Sequence, residues 1–453
     1  MVKITTFGAA QEIGRSAILV EDKDTKVLLD CGLKIRPKMP TAKPIGLDEH
    51  VSDLNGILVS HAHFDHTGYL PGVVRLGYEG PIHMTHPTRD ICRILFRDHL
   101  KIEGERHWSE ENLYDTLYQT ELYYYNEKFH VADGVTAEFY DAGHILGSAS
   151  ILLDWKGKLI FYTGDINTFE TPYHDSNKYP TVDDVSLVIS EATNGLRDLP
   201  DREFPNNDII DAIYKTYSKG GITIIPTFAL GRGQEIEAIL AQEFDDQEFT
   251  IYLDGMLLKM NDIYRRYFHE YWVSKKILNW CRDRRIAVPY DLRNFIPINK
   301  NLAEDINAFR NMIVNENRPN IIISTSGMLE GGPIHSYLHY GADKAENLIA
   351  ITGYQVEGTL GREILDGERK VKLFRWDDKG GINLNIKAEV QQFRFSGHAQ
   401  RNELLKMIRA INSKNIVFVH GLKESASALK NELGDKYRIY IPEIKETINF
   451  SDS

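Results

Sequence analysis

Cysteine is scarce in this chain: only Cys31, Cys92 and Cys281 occur in 453 residues, far apart and without a Cys-x-x-Cys spacing. That excludes a disulfide framework and a thiolate zinc site, so a reducing, cytoplasmic setting is expected. Long hydrophobic runs are missing too. No stretch approaches the roughly 18 apolar residues of a membrane span, and Met1-Val2-Lys3-Ile4-Thr5-Thr6-Phe7 enters a strand pattern without the charged and apolar regions of a signal peptide. No membrane partner is therefore expected. Positive charge is in deficit, with 53 Lys and Arg against 65 Asp and Glu and a net charge of −12. A protein held on nucleic acid by its overall charge is excluded, which leaves only local clusters of cations for a phosphate partner. Internal repeats and low-complexity tracts are absent, which excludes a repeat array. What is present is an ordinary globular composition, 42% hydrophobic and 26% charged, in a chain long enough for two or three domains.

One segment departs from that plain background. Ile57-Leu58-Val59-Ser60-His61-Ala62-His63-Phe64-Asp65-His66 sets three imidazoles and a carboxylate within six residues, directly behind a short apolar strand. Neutral imidazole and carboxylate are ligands that Zn²⁺ accepts, and an apolar core would not tolerate four such side chains without something to satisfy them. A solvated polar turn is the plainer alternative, but turns are built from Gly, Asn, Asp, Pro and Ser rather than His. Each of two adjacent metals needs three or more protein donors and an open position for water. Three later positions can complete the count. His144 follows the alternating run Val135-Thr136-Ala137-Glu138-Phe139-Tyr140, Asp165 ends Leu159-Ile160-Phe161-Tyr162-Thr163-Gly164, and His420 ends Ile416-Val417-Phe418-Val419. In each case a β-rich apolar run stops and a donor stands at its end, so the donors could gather along one edge of a sheet sandwich.

This combination resembles the metallo-β-lactamase superfamily, in which the ligands come in the same order. The resemblance implies that His61, His63 and His144 hold one Zn²⁺, that Asp65, His66 and His420 hold a second, and that Asp165 bridges the two. It also implies hydrolysis by activated water. Thioesters, lactams and phosphodiesters are all hydrolysed on this scaffold, so the superfamily leaves the substrate open.

The 254 residues between Asp165 and His420, 166 to 419, narrow it. Within them Leu187-Val188-Ile189-Ser190-Glu191-Ala192-Thr193 resembles motif A of the β-CASP nucleases, and Phe393-Arg394-Phe395-Ser396-Gly397-His398-Ala399 resembles motif B. His420 stands where that group has motif C, while Pro226-Thr227-Phe228-Ala229-Leu230-Gly231-Arg232-Gly233-Gln234-Glu235 and Ser324-Thr325-Ser326-Gly327-Met328-Leu329 look like signatures of its inserted domain. The resemblance covers nearly the whole chain, from Phe7 to His420. It implies an α/β fold, an αββα metallo-β-lactamase sandwich with an inserted α/β (β-CASP) domain. Taken singly, Glu191 also reads as an exposed strand-end acid and His398 as a helix cap. Taken in order, they imply that His398 protonates the leaving group, that Glu191 keeps it cationic, and that Asp65 shares in catalysis. Within the group the resemblance is to stand-alone archaeal and bacterial nucleases akin to the catalytic subunit of the cleavage and polyadenylation specificity factor, carried by Ser60-His61-Ala62-His63-Phe64-Asp65-His66-Thr67-Gly68-Tyr69-Leu70-Pro71. Histidine at 420, where DNA-directed members tend to have valine, implies RNA. Flanking RNA-binding modules and long C-terminal tails found in other relatives are not seen, so RNA is expected to bind through the nuclease body or through partners.

The expected domains are 1–200, the first part of the metallo-β-lactamase domain, 201–385, the β-CASP insertion, and 386–453, the C-terminal return. The first part is mostly short strands, with a helix over 88–100. In the insertion, helices over 208–217 and 233–241 alternate with strands over 222–225, 250–253 and 320–323, which reads as a parallel α/β layer. Turn-rich Pro205-Asn206-Asn207 and Asp377-Asp378-Lys379-Gly380-Gly381 are the expected hinges. Ser324, Thr325, Ser326, Gly327 and Arg232 are expected RNA contacts. The basic-aromatic stretches 264–268 and 272–285 read as a single-strand channel or as amphipathic helices with snorkelling cations. Lys34-Ile35-Arg36-Pro37-Lys38 with Lys43 is a second cationic candidate. The expected function is a zinc-dependent ribonuclease that cuts single-stranded RNA, internally in the first instance, in RNA processing or decay. A 5′-to-3′ exoribonuclease of RNase J type, a small-molecule metallohydrolase and a silent scaffold subunit are the alternatives. A homodimer or processing-complex partners are compatible with the sequence.

Overall fold

The computed structural model describes residues 1–182, 184–198, 203–245, 249–316, 318, 320–373 and 381–450. The chain divides into two compact units. One comprises Met1–Glu170, His174–Asp198 and Gly397–Ser453, the other Thr171–Tyr173 and Leu199–Ser396.

The first unit is built on two seven-stranded sheets. The first runs Thr447–Phe450, Val2–Gly8, Ala17–Glu21, Lys26–Leu29, Gly56–Leu58, Ile82–Thr85 and Thr120–Tyr123; the second runs Arg438–Tyr440, Asn415–Val419, Val185–Glu191, Lys158–Tyr162, Ala149–Trp155, Val135–Asp141 and Lys128–Ala132. Alternation decides which side chains enter the space between them: in Val135–Asp141 the side chains of Val135, Ala137 and Phe139 are buried while Thr136, Glu138 and Tyr140 are half-buried. Ile4, Ile18, Val20 and Leu29 of the first sheet share one core with Phe139, Ile151, Leu153 and Val417 of the second. Burial of each such side chain contributes about 1.5–3 kcal/mol. The outer face of the second sheet is covered by helices Arg401–Ile411 and Lys423–Leu433, whose Leu404, Ile408 and Leu429 pack with Phe161, Val188 and Phe418. Helix His86–Glu103 packs on Ile82–Thr85 and Thr120–Tyr123 of the first sheet. The layers are therefore helix, sheet, sheet, helix.

Strand direction places the chemistry. Lys158–Tyr162, Val185–Glu191 and Asn415–Val419 are parallel neighbours, so Asp165, Glu191 and His420 all lie at the carboxyl ends of adjacent strands. Lys26–Leu29 and Gly56–Leu58 are parallel as well, and bring Asp30 and the loop from His61 to corresponding ends of the facing sheet.

The second unit holds a six-stranded sheet, Phe295–Ile298, Thr250–Asp254, Asn320–Ser324, Thr223–Pro226, Leu348–Ile351 and Glu389–Gln392. All its pairings are parallel. Separate apolar clusters cover its two faces, which is why Ile321-Ile322-Ile323 reads as an unbroken run rather than an alternation.

Two boundaries differ from the sequence reading. The return to the first unit comes at Gly397 rather than 386, because Glu389–Gln392 adds to the parallel sheet of the inserted unit beside Leu348–Ile351. The expected hinge Pro205-Asn206-Asn207 lies inside helix Glu203–Ser218; in the first turn proline forfeits no intrahelical hydrogen bond, so it does not break the helix. Of the other expected hinge, 377–380 lie outside the described residues. Among the described residues no helix is long and apolar enough to cross a membrane, and the three cysteines are free and buried.

Candidate metal centre and active site

Seven side chains converge at the carboxyl edge of the sandwich. His61, His63, His144 and Asp165 form one group, and Asp65, His66 and His420 a second, each with one donor atom per residue within 4.8 Å of the others. A tight loop after Gly56–Leu58 delivers His61 and His63, and the short helix Phe64–Thr67 presents Asp65 and His66 on consecutive positions. His144 follows Val135–Asp141, with Gly143 at φ 67 to make the turn. His420 holds φ 46, and its backbone N–H donates to the Ala9 carbonyl at 2.7 Å.

The donor atoms crowd one another at contact distance. His61 Nε2 and His144 Nε2 each lie 3.1 Å from His63 Nδ1. Asp165 Oδ2 is 3.6 Å from His61 Nε2, 3.3 Å from His66 Nε2 and 3.8 Å from His144 Nε2. Its Oδ1 is 3.2 Å from His420 Nδ1, and His420 Nε2 is 3.2 Å from Asp65 Oδ2. His66 Nε2 and Asp165 Oδ1 are buried without a hydrogen bond among the described residues. Such groups are costly to bury unless something satisfies them, and an imidazole and carboxylate set of this density fits a divalent metal. Burial pushes His61 and His144 well below the ordinary imidazole range and His63 down to about 4, which leaves them in the neutral, ligating form. Burial would raise Asp165 and Asp65, but the surrounding histidines hold both carboxyls below their usual range, so both are ionised.

Supporting residues set the tautomers. His66 Nδ1 donates to Asp30 Oδ2 at 2.8 Å, and His144 Nδ1 to the Gly397 carbonyl at 2.5 Å. In both rings Nε2 is thereby the nitrogen aimed at the cluster. Asp30 also accepts from Ser60 N at 2.7 Å, Ser60 Oγ at 2.8 Å and Tyr162 OH at 2.7 Å. Sequence reasoning missed Asp30, Ser60 and Tyr162, although Asp30 ends the apolar strand Lys26–Leu29 in the way that Asp165 and Glu191 end theirs.

Next to the ligands stands an acid-base pair. His398 Nδ1 lies 3.1 and 3.0 Å from the two oxygens of Glu191 and 4.0 Å from Asp165 Oδ2. Glu191 is fully buried, and its Oε1 also accepts from Ile166 N at 2.8 Å. Burial would lower His398, but the Glu191 and Asp165 carboxylates overcome it and hold the imidazole up at about 9. A protonated imidazole at this place can give a proton to a departing oxygen.

The expected RNA contacts belong to the second unit, where each also makes contacts within the unit. Ser324 is fully buried, and its Oγ donates to the Thr325 carbonyl at 3.4 Å. Thr325 Oγ1 accepts from Met256 N at 3.3 Å, Ser326 Oγ from Glu330 N at 3.1 Å, and the Gly327 carbonyl from Gln355 Nε2 at 2.9 Å. Arg232 pairs with Glu235 and lies 5.2 Å from the Phe395 ring. The basic-aromatic stretches fall largely on the helices Leu257–Arg266 and Lys275–Arg284. Tyr264 and Trp272 are buried, Arg265 pairs with Asp291 at 2.8 Å, and Arg284 pairs with Asp245 at 2.7 Å while lying over Trp280. Lys34 pairs with Glu12, and Lys43 with Asp48.

Residues 234–364 match the Beta-Casp domain, 383–442 the Zn-dependent metallo-hydrolase RNA specificity domain, and 5–191 the family described as Anti-Pycsar protein Apyc1. The chain is 34% identical over 429 residues to the RNase J-like protein of Methanocaldococcus jannaschii, with 93% of each chain covered. It is 32% identical over 436 residues to the transcription termination factor FttA of the same organism, covering 93% of this chain and 67% of that one. A solved protein of unknown function from Enterococcus faecalis V583 shares the fold, with a TM-score of 0.59 at 16% identity over 99% of both chains.

Proposed function

The chain belongs to the β-CASP ribonucleases of the metallo-β-lactamase superfamily, and from that premise we propose that it cuts single-stranded RNA at internal phosphodiester bonds with two Zn²⁺ ions. His61, His63 and His144 would hold one ion and Asp65, His66 and His420 the other, with Asp165 shared between them. When bound, the ions lower the pKa of water and neutralise the charge that builds on a phosphoryl group. The chain's own residues do the rest. Asp65 would orient the attacking water as well as hold an ion. Asp30 fixes the His66 ring through its Nδ1. Glu191 holds His398 by Nδ1, which leaves His398 Nε2 as the atom whose proton passes to the leaving oxygen.

The observation that carries this reading is the His398–Glu191 pair beside Asp165. An RNA alkoxide is a poor leaving group and gains from a positioned acid. RNA rather than a small molecule is supported by the RNA specificity domain match over 383–442, which contains both His398 and His420. Internal cutting is the reading carried over from the sequence; the Thr325 and Ser326 hydroxyls, which accept backbone N–H donors, keep O–H groups that would serve a terminal 5′ phosphate in the exonuclease alternative. We place this activity in cytoplasmic RNA processing or decay.

The test compares linear and circular RNA of one sequence, with and without a chelator. Both forms should be cut into fragments, and the chelator should stop it. Survival of the circle while linear RNA is degraded would make the enzyme an exonuclease. Survival of both forms, with turnover of a thioester or lactone, would overturn the ribonuclease assignment.

A further inference from the structure

A second concave site in the first unit, apart from the seven donors, has the composition of an anion pocket. It has a volume of about 580 Å³, and its lining includes Thr41, Lys43, Tyr69, Arg75, Arg106 and His107 but no acidic side chain. That is unexpected in a chain with 65 acids and 53 Lys and Arg. Two carboxylates close by, Glu103 and Asp48, are already engaged. Glu103 accepts from Thr41 N at 3.0 Å and from Thr41 Oγ1 at 2.9 Å, while Asp48 pairs with Lys43 and accepts from Tyr69 OH at 3.1 Å. Arg75 and Arg106 are exposed, and Arg75 donates only to a carbonyl, that of Glu105 at 3.3 Å. Neither has a carboxylate partner among the described residues. A guanidinium in that state presents a planar fork of donors that matches a phosphate. Thr41 Oγ1, whose proton goes to Glu103, lies 3.0 Å from His107 Nε2 on the same wall.

The pocket is also joined to the metal-binding loop. Phe64, between the donors His63 and Asp65, packs against His99 at 4.9 Å and Trp108 at 6.2 Å between ring centroids. The His107 ring lies 6.0 Å from both Trp108 and Tyr69, and Tyr69 is three residues beyond His66.

We propose that this pocket binds a nucleotide phosphate, with Arg75 and Arg106 as the anion-holding residues. The volume suits a nucleotide-sized ligand, and the phosphate can come from a bound RNA strand or from a free mononucleotide. The RNA source rests on the ribonuclease reading above; binding is measured without turnover, so a failure of either is seen separately.

Affinity is measured on the metal-loaded full chain with inorganic phosphate, 5′-AMP and a fluorescein-labelled, phosphorothioate-linked RNA decamer. The double variant Arg75→Gln/Arg106→Gln is compared with Arg409→Gln/Lys430→Gln, which removes the same charge from the helices Arg401–Ile411 and Lys423–Leu433. The first should lose about tenfold or more in affinity for at least one probe, and the salt dependence of decamer binding should fall by about 0.7 in log–log slope for each phosphate that is no longer neutralised. The second should change little. Loss confined to the decamer assigns the pocket to the strand, and loss confined to AMP or phosphate assigns it to a free nucleotide. Equal affinities in both double variants, or no binding of any probe to the wild-type chain, would overturn the proposal. Unchanged zinc content and circular dichroism show that the variant is folded, and Arg75→Lys/Arg106→Lys should restore part of the affinity.

Discussion

A hydrogen bond of 2.8 Å joins Nδ1 of His66 to Oδ2 of Asp30, with both residues fully buried. It fixes which nitrogen of His66 faces the other candidate metal donors, and three further donors from Ser60 and Tyr162 fix the carboxylate in turn. Asp30→Ala should therefore weaken zinc binding about 10-fold to 100-fold, the usual cost of losing such a partner. Competition against a chromophoric chelator measures it. Asp30→Asn, which keeps the shape but accepts at one atom only, should fall between the two. Wild-type affinity in Asp30→Ala would remove Asp30 from the positioning role.

The seven donors set the metal count. Elemental analysis of the fully loaded, active chain should give about two zinc ions, and His63→Ala or Asp165→Ala should lose both metal and activity, since each touches several other donors. A loaded, active sample with one ion or fewer would contradict the paired site.

Catalysis should separate from metal binding at His398. His398→Ala is expected to keep its zinc and its RNA affinity while cleavage slows about 10²-fold to 10⁴-fold. Glu191→Gln should be milder, because the amide oxygen can still accept from the imidazole and from Ile166 N. Zinc loss in the His398 variant would make this residue a ligand instead.

A pH effect on stability should come from the second unit. Glu237 is fully buried, accepts from Asn261 Nδ2 at 2.6 Å through Oε1, and has no hydrogen bond at Oε2 among the described residues. Burial raises its carboxyl from 4.5 to about 8, with Asn261 pulling the other way. Because the folded value lies above the unfolded one, the folded state keeps a proton that the unfolded state has lost between those two values. The contribution to stability is complete below about 4.5 and declines as pH rises towards about 8, by up to about 1.4 kcal/mol per unit. Glu237→Gln holds no such proton. The wild-type minus variant difference in urea unfolding free energy should therefore fall from pH 5 to pH 8, and a flat difference would refute the assignment.

The inserted unit shows how far local pattern reaches. Strands over 222–225, 250–253 and 320–323 are legible because both faces of a parallel sheet are covered, and continuous Ile-rich runs result. Pro205 reads as a break only when its place in a helix is unknown; in the first turn of Glu203–Ser218 it breaks nothing. Glu389–Gln392 is half-buried with an exposed end, so nothing in its sequence says which unit's sheet it joins. Pairing with Leu348–Ile351 settles that and moves the return to Gly397.

The sequence by itself determined the kinds of donor and their places at strand ends, because ligand chemistry and the period of two along a strand are local properties. It also determined the order in which those donors are met along the chain. Only the tertiary structure decided their partners. Asp30 meets His66 across 36 residues because the parallel strands Lys26–Leu29 and Gly56–Leu58 end together, and Glu191 meets His398 across 207 because the segment leading into helix Arg401–Ile411 bridges to Asn194, just past the end of Val185–Glu191. The same close packing gave Arg265 to Asp291 and Arg284 to Asp245, and left Arg75 and Arg106 without carboxylates among the described residues. Whether a cation is spent inside the fold or kept for a ligand depends on which acids packing brings within reach, and that distance is not written in residue order.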